Sequence, residues 1–370
     1  MASTMFFITL IPLLYTIGQW FYWIISKPRK TEAGITPTSL DILIISRNEA
    51  KNLPRLLSQI RQEIGKLNKL ILVDDQSEDN SIEIARCFAK EEGSSVMVIS
   101  NHAELGKSPK KSAIITGVSQ SNADWIWMID ADTIIKPGSI THKIEALKQT
   151  GSMLLVGPVV EETENAGLWS MLSGIEQSLM NTLYRGSIYR GRPLLCSGAN
   201  LAFRRKWFLE KNPFQNNLSI FSGDDLAILE TAGNSVNFDI GRESVVKTIG
   251  PVSGSEFYEQ RIRRAGKLRF MGKSYLKIFG LTSIYSGITC LFILPWFLFS
   301  GTTLERISAA SLLILYILVM GKASNAGYGN ERNPGILKTM LIGYIYPLFV
   351  LCIPLLIFRG NINWKGRSIP

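Results

Sequence analysis

Two hydrophobic regimes divide the chain. Thr4 to Ser26 is an uncharged run rich in Phe, Trp, Leu and Ile, followed at once by Lys27, Arg29 and Lys30. Ile278 to Ser300 and Thr339 to Phe358 are two more uncharged runs. Each approaches the roughly 20 residues that a membrane-crossing helix needs. Ile307 to Gly321 is a shorter run between Arg306 and Lys322, whose long side chains would snorkel if it spans. The first run is open to a second reading as a cleaved signal peptide. Its length, the lack of a basic stretch before it and the positive charges after it favour a retained anchor. The positive-inside rule then places the chain from Lys27 onward in the cytosol.

The second regime, residues 38–250, alternates short apolar runs with amphipathic ones. "LDILIISRNEA" (40–50) predicts a buried strand ending in polar residues, and "NLPRLLSQIRQEI" (52–64) a helix with Leu53, Leu56, Leu57 and Ile60 on one face. "KLILVDDQSEDNSIEIARCFAKEEG" (69–93) repeats the strand, loop and helix, with Asp79 or Asn80 as cap. "SVMVIS" predicts a third strand, "SPKKSAIITGVSQS" a helix and "DWIWMIDAD" a fourth strand. Such alternation predicts a doubly wound α/β domain, a parallel sheet covered by helices on both faces. "LWSMLSGIEQSLMNTLY" carries Leu168, Leu172, Ile175, Leu179 and Leu183 as one apolar stripe; core packing explains it, and a lid toward a lipid acceptor is the alternative.

Composition sharpens this picture. Across 370 residues the net charge is +10, and mean hydropathy is +0.14. A basic protein beside anionic headgroups is attracted to them. Nucleic acid is not the expected partner, because no long basic run in the soluble part is interleaved with aromatics. The four cysteines (87, 196, 290, 352) are far apart, with no CxxC, and there are two histidines. Neither a zinc site nor a disulfide framework is expected.

In a parallel sheet, ligands bind outside the carboxyl ends of the strands. Those ends are Ser46–Glu49, Asp74-Asp75 and Asp130–Asp132, all polar or acidic. A strand continued through Asp132 would point it the same way as Asp130. Carboxylates gathered at one edge repel unless a cation sits among them, and Mg²⁺ or Mn²⁺ is commonly held by one or two carboxylates plus substrate phosphates. Asp-x-Asp therefore suggests a metal bridging to a diphosphate. A plain turn, supported by Pro137-Gly138, is the structural alternative.

Seven segments occur in order: "DILIISRNEAKNL", "LILVDDQSEDNS", "SPKKSAIITGV", "WMIDADTIIKPGSI", "CSGANLAFRR", "FSGDDLAIL" and "QRIRRAGK". Together they resemble family 2 glycosyltransferases over residues 38–275, closest to membrane-anchored members with helices before and after the catalytic domain. The resemblance implies a GT-A fold, an inverting reaction, and a nucleotide-diphosphate sugar as donor, a UDP-sugar first among them. It implies Mg²⁺ or Mn²⁺ as metal and a lipid-linked or cell-envelope glycan as acceptor. The implied location is the bacterial inner membrane, multi-pass, with the catalytic domain cytosolic.

By the same resemblance, Glu49, Asp74 and Asp75 belong to the nucleotide pocket, and Asp130 and Asp132 to the metal motif, with Asp130 on the sugar-ribose side or the metal. Lys110 stands at the position of a phosphate or ribose lysine, although Pro109 replaces the family's glycine and "LGK" offers Lys107 as a second register. "SGAN" (197–200) corresponds to the segment lining the sugar and acceptor side; a tight turn explains it equally. "SGDDLAIL" occupies the place of the catalytic base. Asp224 and Asp225 are both candidates, and aligning the acidic pair selects Asp225; helix capping is the competing explanation. "QRIRRAGK" resembles Gln-x-x-Arg-Trp, with Gln260 and Arg263 matching and Arg264 replacing an acceptor-stacking Trp. Arg263, with Arg261 or Arg264, would clamp a diphosphate, and residues 256–273 also have the mix of an amphipathic interfacial helix.

The organisation expected is an anchor at 1–30, a catalytic domain at 38–250, an interfacial segment at 251–275 and membrane helices at 276–370. Four spans would put both termini outside; three would leave the C-terminus in the cytosol. Processive polysaccharide synthesis is the rival activity, and a nonenzymatic membrane scaffold the rival class. A soluble nucleotidyltransferase would share the sheet but needs neither "GDD" followed by "QxxR" nor the apolar runs.

Overall fold

The computed structural model describes residues 6, 10–28, 39–102, 104, 106–162, 167–268, 274–328, 344, 362–364 and 367–369. Side chains of Arg263, of residues 265–268, 274–277 and 279, and of those after Gly327 apart from Tyr344 lie outside the description. The expected span Thr339–Phe358 therefore falls outside the described residues, Tyr344 apart. The chain separates into two compact units, one built from 28–162, 187–249 and 363–370, the other from 1–27, 163–186 and 250–362.

In the first unit the elements run β1 (Leu40–Ser46), α1 (Leu53–Arg61), β2 (Lys69–Asp74), α2 (Ser81–Glu92), β3 (Val96–Ser100), α3 (Pro109–Gln120), β4 (Trp125–Asp130) and α4 (Ser139–Gln149). They continue with β5 (Leu154–Val156), β6 (Val159–Glu162), β7 (Leu201–Arg204), α5 (Arg205–Lys211), α6 (Asp224–Ala232), β8 (Val236–Phe238) and β9 (Val246–Ile249). The strand–helix alternation read from the sequence is present through α4. Seven strands form one sheet in the order β3-β2-β1-β4-β7-β5-β8. The first four are parallel. The sheet is not parallel throughout: β7, which follows "SGAN", runs antiparallel to β4 and β5.

Period-two alternation explains how β1 and β2 are buried on both faces. Ile42, Ile44, Leu70 and Leu72 join Leu53, Leu56, Leu57, Ile60 and Phe88 in one core. Leu43 and Val73 point the other way, to α3, where a Cβ on Gly117 would lie 2.4 Å from Leu43 Cδ1. Register aligns Ser46 with Asp74 and Ile45 with Asp130, so the polar strand tips share one edge.

Among its described residues the second unit is mainly helical. Its N-terminal helix, Ile11–Ile24, has 14 residues, about 21 Å at 1.5 Å per residue. Its described length falls short of the roughly 30 Å hydrocarbon core. Gly280–Ser300 and Thr303–Gly327 are long and apolar enough to cross a membrane. The marginal run Ile307–Gly321 is thus the middle of a longer helix, Thr303–Tyr328. The helix Leu168–Tyr189 is pinned to it by polar side chains: Thr182 Oγ1 donates to the Ala323 carbonyl (2.6 Å), Asn181 Nδ2 to that of Gly327 (3.0 Å), and the Ser178 and Ser324 hydroxyls meet at 2.6 Å. Leu172, Ile175, Leu179 and Leu183 of the apolar stripe are buried, whereas Leu168 is exposed.

Candidate active site

The tips of β1 and β2 are tied together before any ligand is considered. Buried Arg47 donates from Nη1 to the carbonyls of Asp75 (3.0 Å) and Gln76, and pairs with Glu78 at 3.0 Å. Asn48 and Gln76 have φ of 52° and 57°, a left-handed conformation uncommon outside glycine that clusters at functional turns. Glu49 is buried and accepts from Asn52 Nδ2 at 2.7 Å. Asp75 is fully buried and accepts from Asn101 Nδ2 at 3.2 Å. Asp74 accepts from the Ser77 amide at 3.1 Å through Oδ2, while its buried Oδ1 has no hydrogen-bond partner. The capping side chain of α2 is Asp79, whose Oδ1 takes the Ser81 amide at 3.0 Å; Asn80 makes no side-chain cap.

Further along the edge, Lys110 Nζ stands 3.1 Å from Asp130 Oδ1 and 3.4 Å from Asp224 Oδ2. Burial alone would push this ammonium down, but Asp130 and Asp224 outweigh it and hold its pKa well above the ordinary lysine value. The sequence motifs "PKK", "DAD" and "GDD" are therefore brought together. β4 ends at Asp130, so Asp132 sits in the following turn, half-buried. The expectation of two carboxylates projected from one continuous strand is corrected accordingly: the turn that starts at Ala131 ends the alternation.

Asp224 and Asp225 open α6 behind Gly223, whose φ of 75° makes the sharp entry. Asp225 Oδ1 accepts the Leu226 amide at 2.9 Å, and both carboxylates lie at the positive end of the helix dipole. Capping and chemistry are compatible here. Gly198 of "SGAN" approaches closely, since a Cβ there would lie 3.5 Å from Asp224 Oδ2 and 3.7 Å from Asp225 Cβ. Asn200 serves as a buried hub, taking the Trp127 indole N–H on Oδ1 (3.0 Å) and donating from Nδ2 to the carbonyls of Pro158 (3.0 Å) and Ser244 (2.7 Å). Among the described residues, no group of three or more His, Cys, Asp or Glu forms a metal cage. The two carboxylates of "DAD" match a hard divalent ion that shares its coordination with substrate phosphate, which does not need such a cage.

Gln260 and Arg264 belong to the other unit, on the helix Gly254–Leu268; the Arg263 side chain lies outside the described residues. There Arg261 is buried, pairs with Glu176 and stacks 3.4 Å from the centroid of the Phe257 ring, and Arg264 is 3.5 Å from Glu176. The sequence reading passed over Glu176, Lys111 and Lys143. Lys111 could have been found, because on α3 it shares a stripe with Ile114 and Val118 and is buried like them.

Comparison with known proteins agrees with this geometry. Residues 41–210 match the model "Glycosyl transferase family 2". Those residues are a family 2 glycosyltransferase domain. An undecaprenyl-phosphate 4-deoxy-4-formamido-L-arabinose transferase from Pseudomonas aeruginosa (strain LESB58) is 31% identical over 113 residues, 30% of this chain and 32% of that protein. A 4,4'-diaponeurosporenoate glycosyltransferase from Staphylococcus haemolyticus (strain JCSC1435) is 32% identical over 128 residues, 35% of this chain and 32% of that one. The matched region thus spans about a third of each relative. The mannosyltransferase PcManGT from Pyrobaculum calidifontis, solved with GDP-Man and Mn²⁺, shares the fold over 94% of this chain and 97% of its own, with a TM-score of 0.57 and 16% identity. The glycosyltransferase domain is therefore of GT-A type.

Proposed function

We propose that the protein is an inverting glycosyltransferase that moves a sugar from a nucleotide-diphosphate donor to a lipid-linked or cell-envelope glycan acceptor at a membrane. The observation that carries this reading is the Lys110 bridge between Asp130 and Asp224. It gathers a phosphate-seeking cation, one carboxylate of the metal motif and one of the base pair at a single sheet edge. A nearby cation favours the charged form of a carboxylate and makes it a poorer base. Asp224 carries the Lys110 ammonium, which favours its neighbour Asp225 as the group that removes the acceptor's hydroxyl proton. The acceptor oxygen then attacks the anomeric carbon from the face opposite the diphosphate. Asp130 and Asp132 would hold Mg²⁺ or Mn²⁺, which neutralises charge developing on the departing diphosphate. Lys110 supplies a second positive charge on that side.

The two apolar helices, the first with Leu281, Trp296 and Phe299 and the second with Ile307 and Ile314 largely exposed, support a membrane location, because apolar side chains exposed in such number are otherwise a liability. Lys27 after the N-terminal helix supports a cytosolic catalytic unit. The relatives named above include one whose name specifies undecaprenyl phosphate, which supports a lipid-linked acceptor. The deciding experiment is a screen of UDP- and GDP-sugars on the full chain in detergent. Nucleotide diphosphate release would be read with and without candidate lipid phosphates and chelator. Release that depends on donor, lipid and metal is expected; no release from any donor would overturn the reading.

A further inference from the structure

Two consecutive lysines on α3 meet different partners near the same helix. Lys110 reaches the side chains of Asp130 and Asp224. Lys111 is almost fully buried, and its Nζ donates to the Asn217 carbonyl at 2.8 Å and lies 3.2 Å from Asn217 Oδ1. It stands 5.7 Å from the centroid of the buried Phe214 ring. The Ser108 amide donates to the Leu218 carbonyl at 2.7 Å, a second tie between the start of α3 and the same loop. That loop, residues 212–223, feeds through Gly223 directly into Asp224 and Asp225. A buried ammonium is costly and is retained only where its hydrogen bonds offset desolvation. Here those bonds go to the backbone leading into the acidic pair.

We infer that Lys111 is a positioning residue, holding the loop 212–223 so that Asp225 stands at the working distance from donor and acceptor. This inference rests on the assignment of Asp225 as base. Burial pushes Lys111 down to about 8 against the pull of Asp224 and Asp225. The groups facing it are Asn217 and Phe214 from the loop, Lys110 from its own helix, and the two aspartates of α6. Loss of its proton leaves a weaker donor and a looser loop.

The test compares the full chain with Lys111→Met, Lys111→Arg and Asp225→Asn. Loop opening is read by hydrogen-exchange mass spectrometry, UDP and GDP affinity by calorimetry, and turnover with whichever donor the screen identifies. A misplacement near 1 Å costs about 10²-fold in rate. Lys111→Met is expected to lower kcat by about that factor, with nucleotide affinity within about threefold and faster exchange confined to 212–223. Lys111→Arg, which stays charged, is expected to recover most turnover and to lack the alkaline fall in kcat expected of the wild type near pH 8. Unchanged turnover and unchanged loop exchange in Lys111→Met overturn the inference. So does a fall in nucleotide affinity matching the fall in kcat, or faster exchange across the whole sheet. If Asp225→Asn keeps full turnover, the base assignment fails; if it is inactive while Lys111→Met is fully active, the positioning role alone fails.

Discussion

Asp224 and Asp225 are adjacent in sequence but differ in what they touch, and that difference is testable one residue at a time. Asp225→Asn is expected to cut kcat by roughly 10²–10⁴-fold, the usual contribution of a general base, while UDP or GDP affinity stays near that of the wild type. Asp224→Asn removes one of the two partners of Lys110 and should act mainly on donor KM. The reverse pattern, measured by steady-state kinetics on both variants, would exchange their roles. Both carboxylates were already candidates in "SGDD", because the segment stands in the place of the base in the ordered motifs, although capping alone accounts for acidic residues at a helix start. The Lys110 bridge was not legible, because it joins residues 20 and 114 positions apart through the sheet (110 against 130 and 224). Lys143 was missed for another reason: it is fully buried, and the partners that make that burial tolerable, Asp239 and Asn200, lie 96 and 57 residues later.

Elements carry their own predictions. On α4, His142 Nε2 lies 2.9 Å from Asp239 Oδ1, and this bond raises the imidazole pKa against the effect of burial. Burial would raise Asp239, but Lys143 and the His142 bond outweigh it and hold the carboxyl well below its usual range. A histidine with a raised folded-state pKa contributes stability that is complete below its unfolded value near 6.5. That contribution is lost as pH rises through the folded value. Thermal stability should therefore decline as pH rises from about 6.5, and His142→Gln should flatten the decline; identical slopes in a thermal-shift series would remove His142 from the account. Asp239 works in the opposite sense, its contribution fading as pH falls below about 4.

In the helical unit, a Cβ on Gly327 would lie 1.6 Å from the Ser178 carbonyl oxygen, whereas Gly280 has open space around it. Gly327→Ala should destabilise by about 1–3 kcal/mol, the usual cost of overpacking, and Gly280→Ala should be close to neutral. Comparable melting temperatures for both variants in detergent would show that the helices do not meet as described. The strands β1, β2 and β4 and their helices were readable from periodicity alone, because each is a local pattern. The antiparallel β7 was not, since strand direction depends on where the chain returns to the sheet.

At the scale of the whole molecule, product length separates a transferase from a synthase. Arg264 stands where polymer-forming relatives of this motif are expected to carry Trp, and its guanidinium is 3.5 Å from Glu176. Short products are expected from radiolabelled donor resolved by size, because no aromatic platform stands at that position to retain a growing chain. A ladder extending to long polymer at low enzyme-to-acceptor ratio would replace this picture with processive synthesis. The apolar runs announced the helical unit in the sequence, but its inclusion of residues 163–186 was hidden, because the partners of Ser178, Asn181 and Thr182 lie 141–146 residues later in the chain.

That inclusion has a consequence in time. The hydroxyl of Thr182 finds its acceptor at Ala323, 141 residues later in the chain. At about 5–20 residues per second, a ribosome needs roughly seven to thirty seconds to supply it. For that interval the segment around Ser178 has emerged without its counterpart, and its apolar stripe must be sheltered by a chaperone, the insertion machinery or the lipid surface. Slowing translation between the codons for residues 186 and 303 with synonymous rare codons would lengthen the wait. The slowed chain should then depend more on folding assistance during synthesis.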